Sequence, residues 1–359
     1  MIPDHWRHAA LAPPLAWGDG PIVSGVLRSS PEDFEVDEIL GFAASGEGPH
    51  ALLRVRKRGA NTEWVARELA RAAGCKPFEV GFAGLKDRNA VTTQSFTVPR
   101  GRRAAEEFLA LRGDGFEVLA AAAHQRKLPR GALEANRFAI TVRQVTGDLQ
   151  ALGARLAAIT SGGVPNYFGP QRFGRDAGNL EQVLRAAGRG AQGRQRRGPR
   201  EGEGFMLSAA RSVIFNGILA VRVEQGSWNR LLPGDVANLD GRGSVFAVET
   251  PDMELEQRCA ALEIHPTAPL MGAGESLARG EVLALEAATA APFSEALAVI
   301  RAARMNAERR ATRIRVRDLE HELRGDVLHL KFALGTGSFA TTVLREIIAT
   351  SQNVDNGGE

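Results

Sequence analysis

Two cysteines in 359 residues, Cys75 and Cys259, stand far apart and have no CxxC partner, which excludes a disulfide framework and a zinc knuckle alike. The seven histidines are scattered without HExxH or comparable spacing, so no metal site is expected. No uninterrupted apolar run approaches the roughly 18 residues of a membrane span, and MIPDHWRHAA lacks the charged-then-apolar order of a signal peptide. A cytoplasmic protein with reduced thiols and no membrane partner is therefore expected. No GxxxxGKS or GxxxxGKT loop is present, so nucleoside triphosphate chemistry has no support. LGTGSFATT at 334–342 satisfies GxGxxA at Gly335, Gly337 and Ala340. That pattern means dinucleotide binding only inside a βαβ unit of ~30 residues with an acidic residue ~20 positions on. The sequence that follows is too short for it, so a nicotinamide-dependent oxidoreductase is not favoured, and the glycines are expected to let a tight turn approach something closely.

What is present is an ordinary globular composition, 44% hydrophobic and 24% charged, over a length that suits two domains. A net charge of +3 proves little about partners, but its distribution says more. LLRVRKRG at 52–59, HQRKLPR at 124–130, RAAGRGAQGRQRRGPR at 185–200 and RAARMNAERRATRIRVR at 301–317 are rich in arginine, the cation best suited to bidentate phosphate contacts. A polyanionic partner, and nucleic acid first, is expected.

Alternation predicts strands in PEDFEVDEIL, ALLRVRKR, FEVGFAG, SFTVP, FEVLAAAAHQRK and NRFAITVRQV, with a helix over NTEWVARELARAAG, capped by Asn61 and stopped by Gly74. From Asp148 the pattern turns helical through DLQALGARLAAIT, NLEQVLRAAG and SAARSVIFNGILAVRVEQG. A short strand pair around LDGRGS follows, then an Ala-rich helical region at 281–311. RIRVRDLEHELRGDVLHLKFAL predicts two strands around an Arg324-Gly325-Asp326 turn, and a helix is expected from about Thr341 to Ala349. Strands, helices, then strands again fit one α+β domain interrupted by a mainly helical insertion, or two sequential domains.

VGFAGLKDRNAVTTQSFTVP, residues 80–99, sets Asp87 between Lys86 and Arg88 in a glycine-containing loop flanked by strands. VPNYFGPQRFGRDAGNL, residues 164–180, interleaves Tyr167, Phe168 and Phe173 with Gln171, Arg172 and Arg175, an arrangement that suits either a core or RNA stacking with phosphate contact. Together with SSPEDFEVDEI, HQRKLPRGALEANRFAITVR and GSFATTVLREI, these segments resemble the tRNA pseudouridine synthase D (TruD) family, in the family's order and across residues 29–348.

The resemblance implies an α+β fold: a pseudouridine-synthase catalytic domain with a mixed β-sheet over residues 1–161 and 311–349, interrupted at 162–310 by a mainly helical TRUD insertion domain. A polar, disordered tail would occupy 350–359. It implies cofactor-free isomerisation of uridine to pseudouridine in tRNA, at position 13, by a monomer with no obligate protein partner. Asp87 is then the catalytic aspartate, a nucleophile that needs no metal or redox help. Addition to the sugar C1′, addition to the base C6 and a glycal route all remain open. Phe34, Asn136, Phe138 and Phe339 match the family's base pocket, where an amide suits uracil because it can accept from N3–H and donate to a carbonyl. Lys86, Arg88 and Arg345, with Arg28 where family members often carry lysine, are expected to support the charge of Asp87. A non-catalytic RNA-binding or RNA-folding factor on the same scaffold is the alternative.

Overall fold

Every second residue of the segment 50–58 is withdrawn from water: Ala51, Leu53, Val55 and Lys57 are buried, while Arg54, Arg56 and Arg58 are exposed. This period of two makes a strand with one wet face, and it recurs through a large sheet. The computed structural model describes residues 1–188 and 203–350. The chain runs α1 (Asp4–Leu11), β1 (Val23–Leu27), β2 (Phe34–Leu40), β3 (His50–Arg58), α2 (Thr62–Ala73), β4 (Gly81–Phe82), β5 (Val91–Pro99), β6 (Arg112–Gly113), β7 (Phe116–His124) and β8 (Leu133–Gly147). It continues through α3 (Leu149–Gly162), β9 (Val164–Pro165), α4 (Gly178–Gly188), α5 (Glu203–Glu224), β10 (Val236–Leu239), β11 (Val245–Ala247), α6 (Met253–Ala260), β12 (Ile264–Leu270), α7 (Gly280–Ala290) and α8 (Ser294–Ala302). It ends with β13 (Glu308–Ala311), β14 (Arg313–Ile314), β15 (Arg317–Arg324), β16 (Val327–Gly335), α9 (Ala340–Leu344) and β17 (Ile348–Thr350).

These elements form two compact units. One comprises Met1–Pro21, Gly153–Arg315 and Ser338–Ile347; the other comprises Ile22–Leu152, Val316–Gly337 and the segment from Ile348. The second is the sheet unit. Its strands run in the order β15-β16-β8-β2-β5-β3-β7-β6, with β1 and β17 attached beside β8 and β4 beside β5. Pairs β2·β5 and β1·β17 are parallel while β2·β8, β8·β16 and β3·β5 are antiparallel, so the sheet is mixed. Register sets Phe34 opposite Ile140, Val36 opposite Phe138 and Glu38 opposite Asn136, and on the far side of β8 it sets Phe332 opposite Phe138. Paired residues share a face, so Phe34, Glu38, Asn136 and Phe138 line one side. Farther along the sheet, Val65, Ala66, Leu69 and Ala70 of α2 pack in one core with Leu53, Val55, Phe96 and Val98. The helix begins after Asn61, whose side chain makes no cap bond, and stops at Gly74, held at φ +70°; glycine adopts that left-handed cap without a Cβ penalty.

The first unit is built around α5. Ala209, Val213, Phe215, Ile218 and Leu219 of this helix are fully buried in one cluster with Trp6 of α1, Leu180 and Val183 of α4, and Ala296 of α8. By length and composition alone the helical stretches Gly204–Glu224 and Gly280–Ala302 would each suffice to cross a bilayer, and the first of them is this core helix.

Three expected elements differ, each for a tertiary or local reason. FEVGFAG opens as a 3-10 turn at Pro77–Glu79, where proline withholds a ladder donor, and leaves only two residues of strand. The helix expected over 281–311 ends at Ala302, and Glu308–Ala311 pairs instead with β12. The helix expected over 341–349 is five residues long, because Ile348 pairs with Val23 in the sheet. At the GxGxxA stretch Gly337 has φ +79°, whereas a Cβ on Gly335 would meet nothing within 4 Å. The turn thus uses the freedom of Gly337. The tail, and most of the arginine run at 185–200, lie outside the described residues.

Candidate active site

The loop between β4 and β5 carries Asp87, and its backbone is tied down from several sides. Gln94 of β5, fully buried, donates from Nε2 to Gly84 O. Thr62, at the start of α2, accepts from Lys86 N at 3.0 Å and donates to Gln94 Oε1 at 3.1 Å. From below, the Lys57 ammonium donates to Ala60 O at 2.9 Å, Asp87 O at 3.0 Å and Lys86 O at 3.3 Å. Asp87 Oδ1 accepts from Asn89 N at 2.9 Å, closing an Asx turn, and Arg88 Nε donates to Gly59 O at 3.1 Å.

Onto this loop comes Arg28, from the end of the segment after β1. Its Nη2 lies 3.0 Å from Asp87 Oδ2, and its guanidinium sits 4.3 Å above the Phe34 ring. Arg28 also has φ +60°, a backbone state that costs a β-carbon-bearing residue of the order of 1–2 kcal/mol. A planar cation can stack on a ring and face a carboxylate at once, which an ammonium cannot do in the same way. The 31% of the Asp87 side chain left exposed is open to an incoming group.

Lys86 turns elsewhere. Its ammonium is 2.8 Å from Glu38 Oε2, in a pair whose side chains are 7% and 0% exposed, and Glu38 Oε1 accepts from Ser95 N at 3.1 Å. Beside Glu38 across the sheet stands Asn136, whose Oδ1 is buried and has no partner among the described residues. Buried polar atoms in native proteins are almost always hydrogen-bonded, so this acceptor is poised to receive an incoming donor. Phe34 and Phe138 meet edge to face at 6.2 Å, and Phe138 in turn packs on Phe332 at 5.4 Å. Burial pushes the Lys57 ammonium down to about 8; the Asp87 charge works against that shift and the Lys86 charge adds to it.

The sheet unit therefore gathers Arg28, Phe34, Lys86, Asp87, Asn136 and Phe138 around one loop and one face. Phe339 and Arg345 belong to the helical unit. Phe339 is the N-cap residue of α9 and is 38% exposed. Arg345 donates to the carbonyls of Pro13 and Pro14 and lies 5.3 Å over the Tyr167 ring. Burial lowers its pKa against the opposing charge of Glu346. Of the two uses weighed for VPNYFGPQRFG, the structure takes the core: Tyr167, Phe168 and Phe173 are buried, the rings packing where apolar area leaves water. The arginines of 301–317 are likewise largely structural. Arg309 forms a two-pronged pair with Glu286, Arg310 lies 4.3 Å over Phe168, and Arg313 bonds His265 and the carbonyls of Asn229, Cys259 and Ile264. Lys57, Thr62, Gln94 and Glu38 were not singled out from the sequence. For Lys57 a signal existed, since it occupies an inward position of a clearly alternating strand, where lysine is rarely fully buried unless paired.

The chain thus combines a mixed sheet bearing one loop-held aspartate with a mainly helical unit, an α+β arrangement. The fold matches a crystal structure from Methanosarcina mazei assigned to tRNA pseudouridine synthase D (TruD), with a TM-score of 0.72 at 23% identity, covering 96% of this chain and 98% of that one. The family model described as tRNA pseudouridine synthase D (TruD) matches residues 17–191 and 196–347. A tRNA pseudouridine synthase D of Methylococcus capsulatus is 46% identical over 325 residues, 90% of this chain and 91% of its own length. One from Xanthomonas campestris is 46% identical over 336 residues, 91% and 92% of the two chains. The chain belongs to the tRNA pseudouridine synthase D family.

Proposed function

We propose that this protein isomerises uridine to pseudouridine in tRNA, at position 13 of the D arm, with Asp87 as the catalytic nucleophile and no cofactor. The N1–C1′ bond breaks, C1′ bonds to C5, and the C5 proton is lost as N1 gains one, so the reaction balances without an oxidant or a second substrate. The observation that carries the reading is Asp87 itself: a carboxylate on a loop fixed at Gly84, Lys86, Asp87 and Arg88, paired with Arg28, and still accessible. Catalysis gains most from groups whose geometry is set before the substrate arrives. A uridine taken out of the tRNA stack loses a few kcal/mol of stacking. The Phe34 and Phe138 rings and the free Asn136 Oδ1, which suits uracil N3–H, support a pocket that compensates for it. Phe339 would add an exposed ring, and Arg345 would support the site's charge from the family's corresponding position. We take residues 162–310 as the insertion domain and the protein as a cytoplasmic monomer.

The test is to map pseudouridine in total tRNA after treatment with the purified protein and with Asp87→Asn. Wild type should modify position 13 and the variant should not, while tRNA affinity changes by less than about tenfold, ~1.4 kcal/mol. The exposed Arg28 pair contributes only about 0.2–1 kcal/mol, so the variant should remain folded. Turnover by Asp87→Asn removes the residue from the mechanism.

A further inference from the structure

Lys57 occupies a position that a strand of this pattern gives to an aliphatic side chain, with 1% of its surface exposed. An ammonium there is costly unless its three protons are satisfied. They face three carbonyls, those of Ala60, Lys86 and Asp87, and two of the three belong to the Asp87 loop. The other ties on the backbone of that loop, from Thr62 and Gln94, join neutral groups, whereas the charged pairs there, Lys86 with Glu38 and Asp87 with Arg28, hold side chains. If the position only had to be filled, Leu or Met would fill it without the desolvation cost.

We propose that Lys57 is a positioning residue for the reaction: a buried ammonium clamp that holds the backbone of Lys86 and Asp87 against β3, so that the Asp87 carboxylate meets the flipped base in one geometry. The inference rests on Asp87 acting as proposed above. Because the contacts are to carbonyls, the clamp needs the protonated form. A neutral amine has one donor fewer and turns a lone pair toward an acceptor. The charged groups acting on Lys57 are Asp87, which favours the ammonium, and Lys86, which opposes it and is itself tied to Glu38; Arg58 on the same strand is exposed and pairs with Glu32. With burial dominating, the ammonium is lost through about pH 8. The clamp is therefore complete below that pH and released above it.

The test compares wild type with Lys57→Met, close in volume and uncharged, and with Lys57→Arg, whose guanidinium stays protonated throughout. Single-turnover pseudouridine formation with saturating tRNA would be followed from pH 6 to 9.5, beside tRNA Kd, Tm and amide exchange of residues 84–90 in the free protein. Lys57→Met should lose about 100-fold in single-turnover rate, the scale of an ångström-sized misplacement. Its tRNA Kd should stay within about threefold, and its loop amides should exchange faster while those of α2 do not. Wild type should lose rate above about pH 8, a limb that Lys57→Met lacks and that Lys57→Arg, if active, moves upward. A folded Lys57→Met with wild-type rate, unchanged loop exchange or an unchanged alkaline limb overturns the proposal. Should that variant not fold, wild-type exchange decides: residues 86–90 must open beyond their intrinsic rate as pH rises through about 8, and a flat profile overturns it. A wild type that makes no pseudouridine defeats the Asp87 reading instead, and the exchange data still judge the clamp.

Discussion

Replacing Lys86 by Met separates two roles that its place beside Asp87 confuses. In the structure its ammonium faces Glu38, not the Asp87 carboxylate, and the Glu38 side chain is fully buried. Two unit charges 2.8 Å apart attract by about 6 kcal/mol at an effective dielectric of 20. Desolvation of both offsets much of that, so the pair as a whole contributes little. Removing one partner is different: it leaves a buried charge uncompensated and typically costs 3–5 kcal/mol. For a unit of this size each kcal/mol moves Tm by roughly 2–4 °C, so Lys86→Met should unfold about 6–20 °C below wild type. Adding Glu38→Gln should recover most of the loss, because the neutral amide keeps an oxygen for Ser95 N. Calorimetry on the two single variants and the double measures the coupling directly. If Lys86 served Asp87 instead, Lys86→Met would lose turnover with little change in Tm, and the double variant would restore nothing. A Lys86→Met Tm within about 2 °C of wild type refutes the reasoning, since it would mean the pair is neither charged nor buried as described.

Phe339 and Phe34 should differ in what truncation does to stability. Phe339→Ala removes a ring that is 38% exposed, so Tm should hardly move, while base stacking worth ~1–3 kcal/mol is lost from the enzyme–tRNA complex. A Tm loss with normal single-turnover kinetics would place this ring in the core instead. Phe34→Ala removes a ring that is 5% exposed and should cost about 3–5 kcal/mol of stability in addition to activity; an undiminished Tm would contradict its burial. tRNA affinity should fall steeply with salt. Because Arg309 and Arg313 are internal, Arg301→Glu with Arg304→Glu, both exposed, should reduce the slope of log K against log salt by about 1 for each phosphate that is no longer neutralised. An unchanged slope would make both solvated residues with no RNA role.

Period-two alternation made most of the sheet legible: β2, β3, β7, β8, β15 and β16 all overlap segments expected as strands, β8 running a few residues past its segment at both ends. The aspartate loop was legible because its two flanking runs and its glycine frame it. Elements decided by partners were not. Glu308–Ala311 becomes a strand because β12 offers an edge, and Ile348 because β1 does; neither edge can be seen in the local sequence. The same applies to burial. Pro165, Gly169 and Pro170 mark VPNYFGPQRFG as irregular backbone, but its rings are core because α5 covers them, with Phe215 at 5.5 Å from Phe168.

Charge pairing was the least legible part of the site, and geometry explains why. Successive side chains on a chain leaving a strand diverge, so the two cations flanking Asp87 cannot both turn to it without crowding the loop that all three share. Lys86 goes inward to Glu38 and Arg88 goes back to Gly59 O, while the cation that reaches the carboxylate is Arg28, brought across by the strand pairing that places Phe34 beneath it. The backbone of Arg28 is held in the left-handed region to do so. Strain of this kind persists only where surrounding contacts over-determine it; here the Ser30 N–H donating to Asp33 Oδ2, the Asp33 N–H donating to Ser30 O and the two-pronged Asp33–Arg143 pair fix the turn that follows. An aspartate whose counter-ion comes from a separate, strained segment can be paired or released without rebuilding its own loop, which suits the nucleophilic role proposed for Asp87.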